Sequence, residues 1–295
     1  MALTRLSHCK VNLLLNILAR RDDGFHELET VMQPVQLHDQ LEFERAARGI
    51  QLSCNDPSLP TDANNLVHRA AQAFLRATGI RDGVRVHLDK RIPKAAGLGG
   101  GSGDAATALL GLNELFANPL DGVKLAELAA SLGSDVPFFL QSRPALGTGR
   151  GERVEPLEPF AAFRGVFILL VHPGFGISTP WAYKQLARFP EATHGRAGRA
   201  QHLIALLDSG DLAAAGAALF NSLEMPALHK FPVLAMYQES FKAHGAAAAL
   251  MSGSGSTTFG LVRSRAAGEE LLSKFRSRFG ATCWAALVPL DGRES

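Results

Sequence analysis

Cysteine is scarce: Cys9, Cys54 and Cys283 are all that 295 residues contain. Three thiols with no paired spacing exclude a disulfide framework, and small buried apolar residues in a reducing compartment are expected. Long apolar runs are missing too. The most apolar stretch, "GVFILLV" at 165–171, falls far short of the roughly 20 residues that cross a bilayer. Lys10 and Asn12 interrupt the early apolar stretch, so it does not read as a secretory leader. A cytoplasmic protein without a membrane partner is expected. Nor is there an excess of one charge: 30 Lys and Arg face 28 Asp and Glu, net +2, with Arg20, Arg21, Arg143, Arg150 and Arg153 scattered. That argues against nucleic acid as a partner, which calls for a basic stripe with interleaved aromatics. None of the ten histidines belongs to a ligand cluster; His26–Glu27 begins a zinc-protease pattern, but Thr30 stands where its second histidine belongs. No internal repeat or low-complexity segment is found.

What is present suits a folded protein, with 46% apolar and 20% charged residues over a length that fits two ordinary domains. "CKVNLLLNIL" (9–18) and "VMQPVQLHDQLEFE" (31–44) read as early strands. "NNLVHRAAQAFLRATG" (64–79) has helical spacing with Gly79 as its stop, and "GVRVHLDKRIP" (83–93) alternates as a strand. Helices are expected over about Asp104–Phe116 and over "DGVKLAELAASLG" (121–133). "RPALGTGRGERVEPLEP" (143–159) is rich in glycine, proline and charge, the composition of a crossing between halves. A strand at 166–171, helices around 201–207 and 211–220, and the stretch "AAAALMSGSGSTTFGLV" (246–262) complete the pattern. Hairpin-like neighbours near the start favour α+β over a wound parallel sheet.

Five of the seven residues from Gly97 to Gly103 are glycine, and a helical pattern follows directly. Glycine is costly to order, so such density marks either a backbone that must approach something closely or a flexible turn. A glycine turn opening a helix presents free N–H groups at the positive end of the dipole, a geometry that suits phosphate. The Walker pattern fails, because Gly103 is followed by Asp104 instead of Lys-Ser/Thr. A dinucleotide fingerprint nearly fits Gly97, Gly99 and Ser102, with Asp121 at ribose distance, yet Asp121 follows "ELFANPL" and no strand. A nicotinamide-dependent oxidoreductase is thus the competing class.

The run Pro93 to Ala106, "P-x-x-x-G-L-G-G-G-S" opening a helix, resembles the phosphate loop of the GHMP kinases. "MSGSGSTTFGL" (251–261), about 150 residues on, is similar to that superfamily's C-terminal glycine motif. In finer detail "CKVNLLLNI" (9–17), "RRDDGFHELETVM" (20–32), "SDVPFFL" (134–140) and "STPWAYK" (178–184) resemble the kinases of 4-diphosphocytidyl-2-C-methyl-D-erythritol, in order along nearly the whole chain. Cys9 departs from a common alanine, Ala95–Ala96 from glycines and Phe25 from a frequent tyrosine.

The resemblance implies a two-lobed α+β GHMP kinase fold, with an ATP-binding domain over 1–155, a C-terminal domain over 156–295 and the active site in the cleft between them. It implies transfer of the γ-phosphoryl group of ATP, with Mg2+, to the 2-hydroxyl of the cytidine-diphosphate methylerythritol substrate in the non-mevalonate isoprenoid pathway. Pro93, Lys94, Ala95, Ala96, Gly97 and Leu98 would form the loop's entry. Gly99, Gly100, Gly101, Ser102 and Gly103 would wrap the phosphates, with the Ser102 hydroxyl on phosphate or magnesium; the metal ligands are otherwise unspecified. Asn65 is assigned to adenine, although it also reads as a helix cap. Asp135 becomes the base for the substrate hydroxyl, and cap of the following helix is its bland alternative. Lys10 becomes the support of that carboxylate, against an edge lysine snorkelling to water. Asn12 shares a strand face with Lys10 and is assigned to the methylerythritol hydroxyls or diphosphate, or is a strand-end polar residue. Phe25, His26 and Tyr183 are assigned to the cytosine ring and Thr179 to ribose or phosphate, with core packing the alternative for the two aromatics. Gly253, Ser254 and Gly255 are assigned to a backbone wall by the substrate diphosphate, or to a hairpin turn. A homoserine, mevalonate or sugar kinase, or a non-catalytic relic, are the other readings within this fold. Monomer and homodimer leave no trace to choose between.

Overall fold

The computed structural model describes residues 2–193 and 195–291. Two compact units form, each discontinuous in sequence. The first gathers the N-terminal stretch through Cys9, Leu37–Ile92 and Gly99–Ser142; the second gathers Lys10–Gln36, Pro93–Leu98 and the chain from Arg143 onward. Two long strands, β1 (Leu3–Arg20) and β2 (His26–Ala46), contribute residues to both.

In the first unit, β3 (Ile50–Cys54) is followed by helix α1 (Leu66–Thr78), β4 (Gly83–Asp89), α2 (Gly100–Leu115) and α3 (Gly122–Leu132). β4 pairs antiparallel with Gln40–Ala46 of β2 and parallel with β3. The helices cover this sheet with Val67, Ala70, Ala71 and Phe74 of α1 and Ala105, Ala108, Leu109 and Leu112 of α2. Alanines thin the contact so that backbones come close, and Gly111 has no alternative: a Cβ there would lie 2.5 Å from the Phe43 ring. α1 starts and stops where expected. Asn65 caps it by accepting from Val67 N, and Gly79 ends it at φ +69°. α2 begins four residues before the expected Asp104, inside the glycine run, because Gly99 at φ +71° takes the left-handed cap position. Asp121 caps α3 through Lys124 N, which removes its ribose-ligand reading.

The second unit adds β5 (Ala145–Gly149), β6 (Arg153–Pro156), β7 (Phe167–His172), α4 (Thr179–Gln185), α5 (Arg199–Asp208), α6 (Leu212–Ala218), β8 (Phe220–Asn221), α7 (Glu224–Lys230), α8 (Val233–Ala243), β9 (Ala248–Met251), β10 (Thr258–Val262), α9 (Arg265–Phe279) and β11 (Trp284–Pro289). The stretch at 143–159, read as a crossing, folds as an antiparallel pair of β5 and β6, with β5 also paired to Leu28–Met32 of β2. Its glycines permit the pairing: a Cβ at Gly147 would lie 2.8 Å from Thr30. A separate four-stranded sheet runs β11-β7-β10-β9. Its central strand β7, "FILLVH", is buried throughout, which explains its unbroken apolar run. The core includes Leu15, Ile17, Leu169, Val171, Phe241, Met251 and Phe275, each large side chain contributing about 1.5–3 kcal/mol on burial. Cys9 is buried as expected, but Cys54 and Cys283 are only half-buried, and none of the three is in a disulfide among the described residues.

Candidate active site

In the second unit the polar residues of β1 meet the two glycine motifs. Lys10 and Asn12 point the same way, two residues apart on one strand. Both are buried, so neither the snorkelling nor the strand-end reading holds. Lys10 Nζ donates to Asn12 Oδ1 at 2.5 Å, and Asn12 Nδ2 donates to Thr30 Oγ1 at 2.8 Å. Thr30 in turn donates to the Leu14 carbonyl at 2.6 Å. The Asn12 amide oxygen is therefore held toward the lysine, a fixed orientation that a flexible side chain would not keep.

The entry of the glycine run is tied to the second motif by backbone. Lys10 N donates to Leu98 O at 3.0 Å and Thr257 N to Ala96 O at 3.0 Å. Ser252 Oγ donates to Gly97 O at 2.8 Å and accepts from Asn12 N at 3.3 Å. This approach is what Gly97 permits: a Cβ there would lie 2.0 Å from Ser252 O, and φ is +77°. Ala95 lies against Gly176, where a Cβ would come within 2.6 Å of it; Ala95 itself sits at φ 50°, the left-handed region that favours glycine. Ala96 is buried, Pro93 half-buried and Lys94 exposed. Gly253 and Gly255 lie in the turn between β9 and β10, which pair antiparallel, so the hairpin reading is correct and compatible with a wall of backbone. Asn221 fastens that turn by donating to Met251 O and Gly253 O, both at 2.8 Å.

On the same unit, the His26 and Tyr183 rings lie 5.2 Å apart, tilted by 36°. Burial, and secondarily the charge of Arg20, lowers the His26 pKa, which favours the neutral ring. Phe25 is 52% exposed, which excludes core packing, and the Arg150 guanidinium lies 4.8 Å over its face. Thr179 starts α4, with its hydroxyl 2.9 Å from that of Ser254.

In the first unit the run continues as the first turn of α2. Gly103 N bonds back to Gly99 O at 2.8 Å, so the N–H groups of Gly100, Gly101 and Ser102 precede the first intrahelical bond and are available to an anion. A Cβ at Gly103 would meet His8 O at 2.7 Å, whereas Gly101 has open space nearby. Beneath this turn lies a buried ionic cluster. Lys90 Nζ donates to Asp104 Oδ2 at 2.8 Å and also to Asp39 Oδ2; Asp39 Oδ1 accepts from Arg91 N and Ile92 N. Burial pushes the Asp104 carboxyl up to about 7, against the pull of Lys90 and with the repulsion of Asp39. Burial alone would depress Lys90, but the two carboxylates outweigh it and hold the ammonium charged. Asn65 caps α1, and its Nδ2 donates to Pro60 O at 2.8 Å. Asp135 is half-buried in the turn after Gly133; it is not a helix cap, since the following 3-10 turn, Pro137–Leu140, starts from Val136 without a side-chain cap.

The sequence reading missed Thr30, Ser252, Asn221 and the Lys90–Asp39–Asp104 cluster. A lysine at a strand end and an aspartate directly after a phosphate-loop pattern were the available signals. Among the described residues, no group of three or more His, Cys, Asp or Glu side chains could hold a metal ion, and no helix is long and apolar enough to cross a membrane.

Residues 65–143 match the family described as GHMP kinases N terminal domain, and residues 203–281 that described as GHMP kinases C terminal. The 4-diphosphocytidyl-2-C-methyl-D-erythritol kinase of Pelotomaculum thermopropionicum is 42% identical over 277 residues, covering 94% of each chain. That of Symbiobacterium thermophilum is 44% identical over 269 residues, covering 91% of this chain and 94% of the relative. A crystal structure of 4-(cytidine 5'-diphospho)-2C-methyl-D-erythritol kinase superposes with a TM-score of 0.81 at 38% identity, covering 97% and 99% of the two chains. A homoserine kinase from Cytophaga hutchinsonii, at 21% identity and a TM-score of 0.73, shares the fold. The α+β fold is that of the GHMP kinases, and the chain belongs to their 4-diphosphocytidyl-2-C-methyl-D-erythritol kinase family, which makes it a small-molecule kinase.

Proposed function

We propose that this kinase transfers the γ-phosphoryl group of ATP to the 2-hydroxyl of 4-diphosphocytidyl-2-C-methyl-D-erythritol, in the non-mevalonate route to isoprenoid precursors. The observation that carries the reading is the hydrogen-bonded set Lys10, Asn12, Ser252 and Gly97, which gathers residues assigned to substrate and to ATP within one unit. Phosphoryl transfer needs positioning and charge neutralisation more than covalent help. The free N–H groups of Gly100, Gly101 and Ser102 supply the first for the phosphates. Asp135 accepts the proton of the attacking hydroxyl, and the Lys10 ammonium lowers the cost of negative charge on that carboxylate and on the oxygen. His26 and Tyr183 present an edge and a face to cytosine, with the exposed Phe25 ring completing the aromatic surface.

The Ser102 hydroxyl would hold either an ATP phosphate or the magnesium ion that accompanies ATP. When bound it would neutralise phosphate charge. In this reading residues 1–155 form the ATP-binding domain and 156–295 the C-terminal domain.

The test is ADP release from ATP with cytidine-diphosphate methylerythritol, compared with homoserine, mevalonate and galactose. Turnover with the first alone is expected. Turnover only with one of the other alcohols would transfer the assignment to that kinase class.

A further inference from the structure

A cavity of about 310 Å³ opens on the second unit between α6, α8 and the outer strand β9. No residue assigned to ATP or to the substrate lines it. Its walls on the α6 side are Ala213, Gly216 and Ala217, side chains too small to fill it. The opposite side carries polar groups in unusual surroundings. Glu224 sits there with Gln238, and both hydrogen bonds that the protein gives the Glu224 carboxylate, from Met251 N at 2.7 Å and from Gln238 Nε2, fall on Oε1. Among the described residues no hydrogen bond falls on Oε2. Lys242 follows Gln238 by one helical turn and so lies on the same face of α8. Among the described residues it has no ion-pair partner, although its charge is felt at Glu224. Glu224 and Lys242 thus both line one small cavity, and no ion pair joins them among the described residues.

The backbone adds to this. β9 is an outer strand with β10 as its sheet neighbour. Ser252 N donates to Thr257 O, so antiparallel alternation turns the peptide groups of Ala249 and Met251 away from β10. Glu224 takes the Met251 N–H, and Ala249 lines the cavity.

We propose that this cavity binds a small zwitterion of the α-amino acid class, its ammonium on Glu224 Oε2 and its carboxylate on Lys242. A guest with both charges satisfies the two groups that the protein leaves apart. Above about pH 7, where Glu224 is ionised, a lone cation would leave Lys242 unanswered, and a lone anion would face the Glu224 carboxylate. Occupancy reaches the glycine turn through one residue: Met251 gives its N–H to Glu224 and its carbonyl to Asn221, which also holds Gly253. The effect on turnover rests on the kinase reading above; the binding itself does not.

Calorimetry of the purified enzyme with the common free L-amino acids, and with the N-acetyl and carboxamide derivative of each, decides it. At least one amino acid should bind saturably, and its acetylated and amidated forms should each bind at least about tenfold more weakly. Lys242→Met, an exposed substitution that should leave the circular dichroism and Tm unchanged, should weaken the amino acid to the level of its amide. Glu224→Gln should weaken it to the level of the acetylated form. With kinase turnover as a second readout, the bound amino acid should shift the KM of the acceptor in the native enzyme and not in Lys242→Met. Absence of binding by every amino acid, or binding indifferent to acetylation or to Lys242→Met, overturns the site. Absence of turnover on the proposed acceptor would instead refute the kinase assignment while calorimetry still judged the cavity.

Discussion

Asp135 is half-buried, caps no helix and directly precedes the buried Val136 in the turn after Gly133. Asp135→Asn keeps the shape and removes the base, and steady-state kinetics should show turnover reduced by about 10²–10⁴-fold in a folded variant. Lys10→Ala and Asp135→Ala, combined in a double-mutant cycle on kcat/KM, should be strongly non-additive if both act on one transferred proton; simple additivity would separate them. Gly97 gives a sharper test of the glycine motif. An added methyl would lie 2.0 Å from Ser252 O at a φ of +77°, so Gly97→Ala should lower stability by about 1–3 kcal/mol, read by urea titration, and should raise the KM for ATP as well.

Two elements beside the first turn of α2 carry chemistry that can be tested apart from catalysis: α1, whose Leu66 lies near Gly101, and the end of β4. Asn65 caps α1, so Asn65→Ala should cost about 1 kcal/mol of stability. Asn65→Asp retains the capping oxygen but loses the Nδ2 bond to Pro60 O, so it should recover only part of that stability; a KM for ATP equal to that of the native chain in Asn65→Asp would remove the amide nitrogen from the nucleotide. Lys90 joins the end of β4 to the first turn of α2. Lys90→Met leaves Asp39 and Asp104 buried without their cation, and a loss of about 3–5 kcal/mol is expected by denaturant unfolding. Asp104→Asn added to Lys90→Met should soften that loss, because the second buried acid no longer has to be protonated to stay folded.

Stability as a function of pH is governed in part by Glu224, whose carboxyl burial raises from 4.5 to about 7. The folded chain therefore keeps this proton after the unfolded chain has released it, and the native state binds more protons between the two values. Stability must fall as pH rises through that window and level off above it. The full effect is on the order of 3 kcal/mol. Thermal denaturation of Glu224→Gln between pH 5 and 8 should show a flatter dependence than the native chain; an unchanged slope would show that Glu224 titrates normally.

Much of this was legible along the chain because it rests on neighbours in sequence. Asn65 and Gly79 bracket α1 through bonds to residues within four positions, and Asp121 opens α3 in the same way. The turns at Gly97, Gly99, Gly253 and Gly255 were legible because the positive φ they adopt is a freedom of the residue itself, and the strand at 166–171 because a fully buried strand is apolar without a break. The start of α2 was placed late, since glycine argues against helix until Gly99 is seen to adopt the left-handed cap. Lys10, Phe25 and Ser252 show the other side. That Lys10 is buried with its backbone N–H on Leu98 O, Phe25 exposed beneath Arg150, and Ser252 seated on Gly97 155 positions away follows from which segments become neighbours. Polar partners so distant in sequence carry no periodic signal, because burial of apolar faces aligns the strands first and hydrogen bonding then selects among the groups brought within reach.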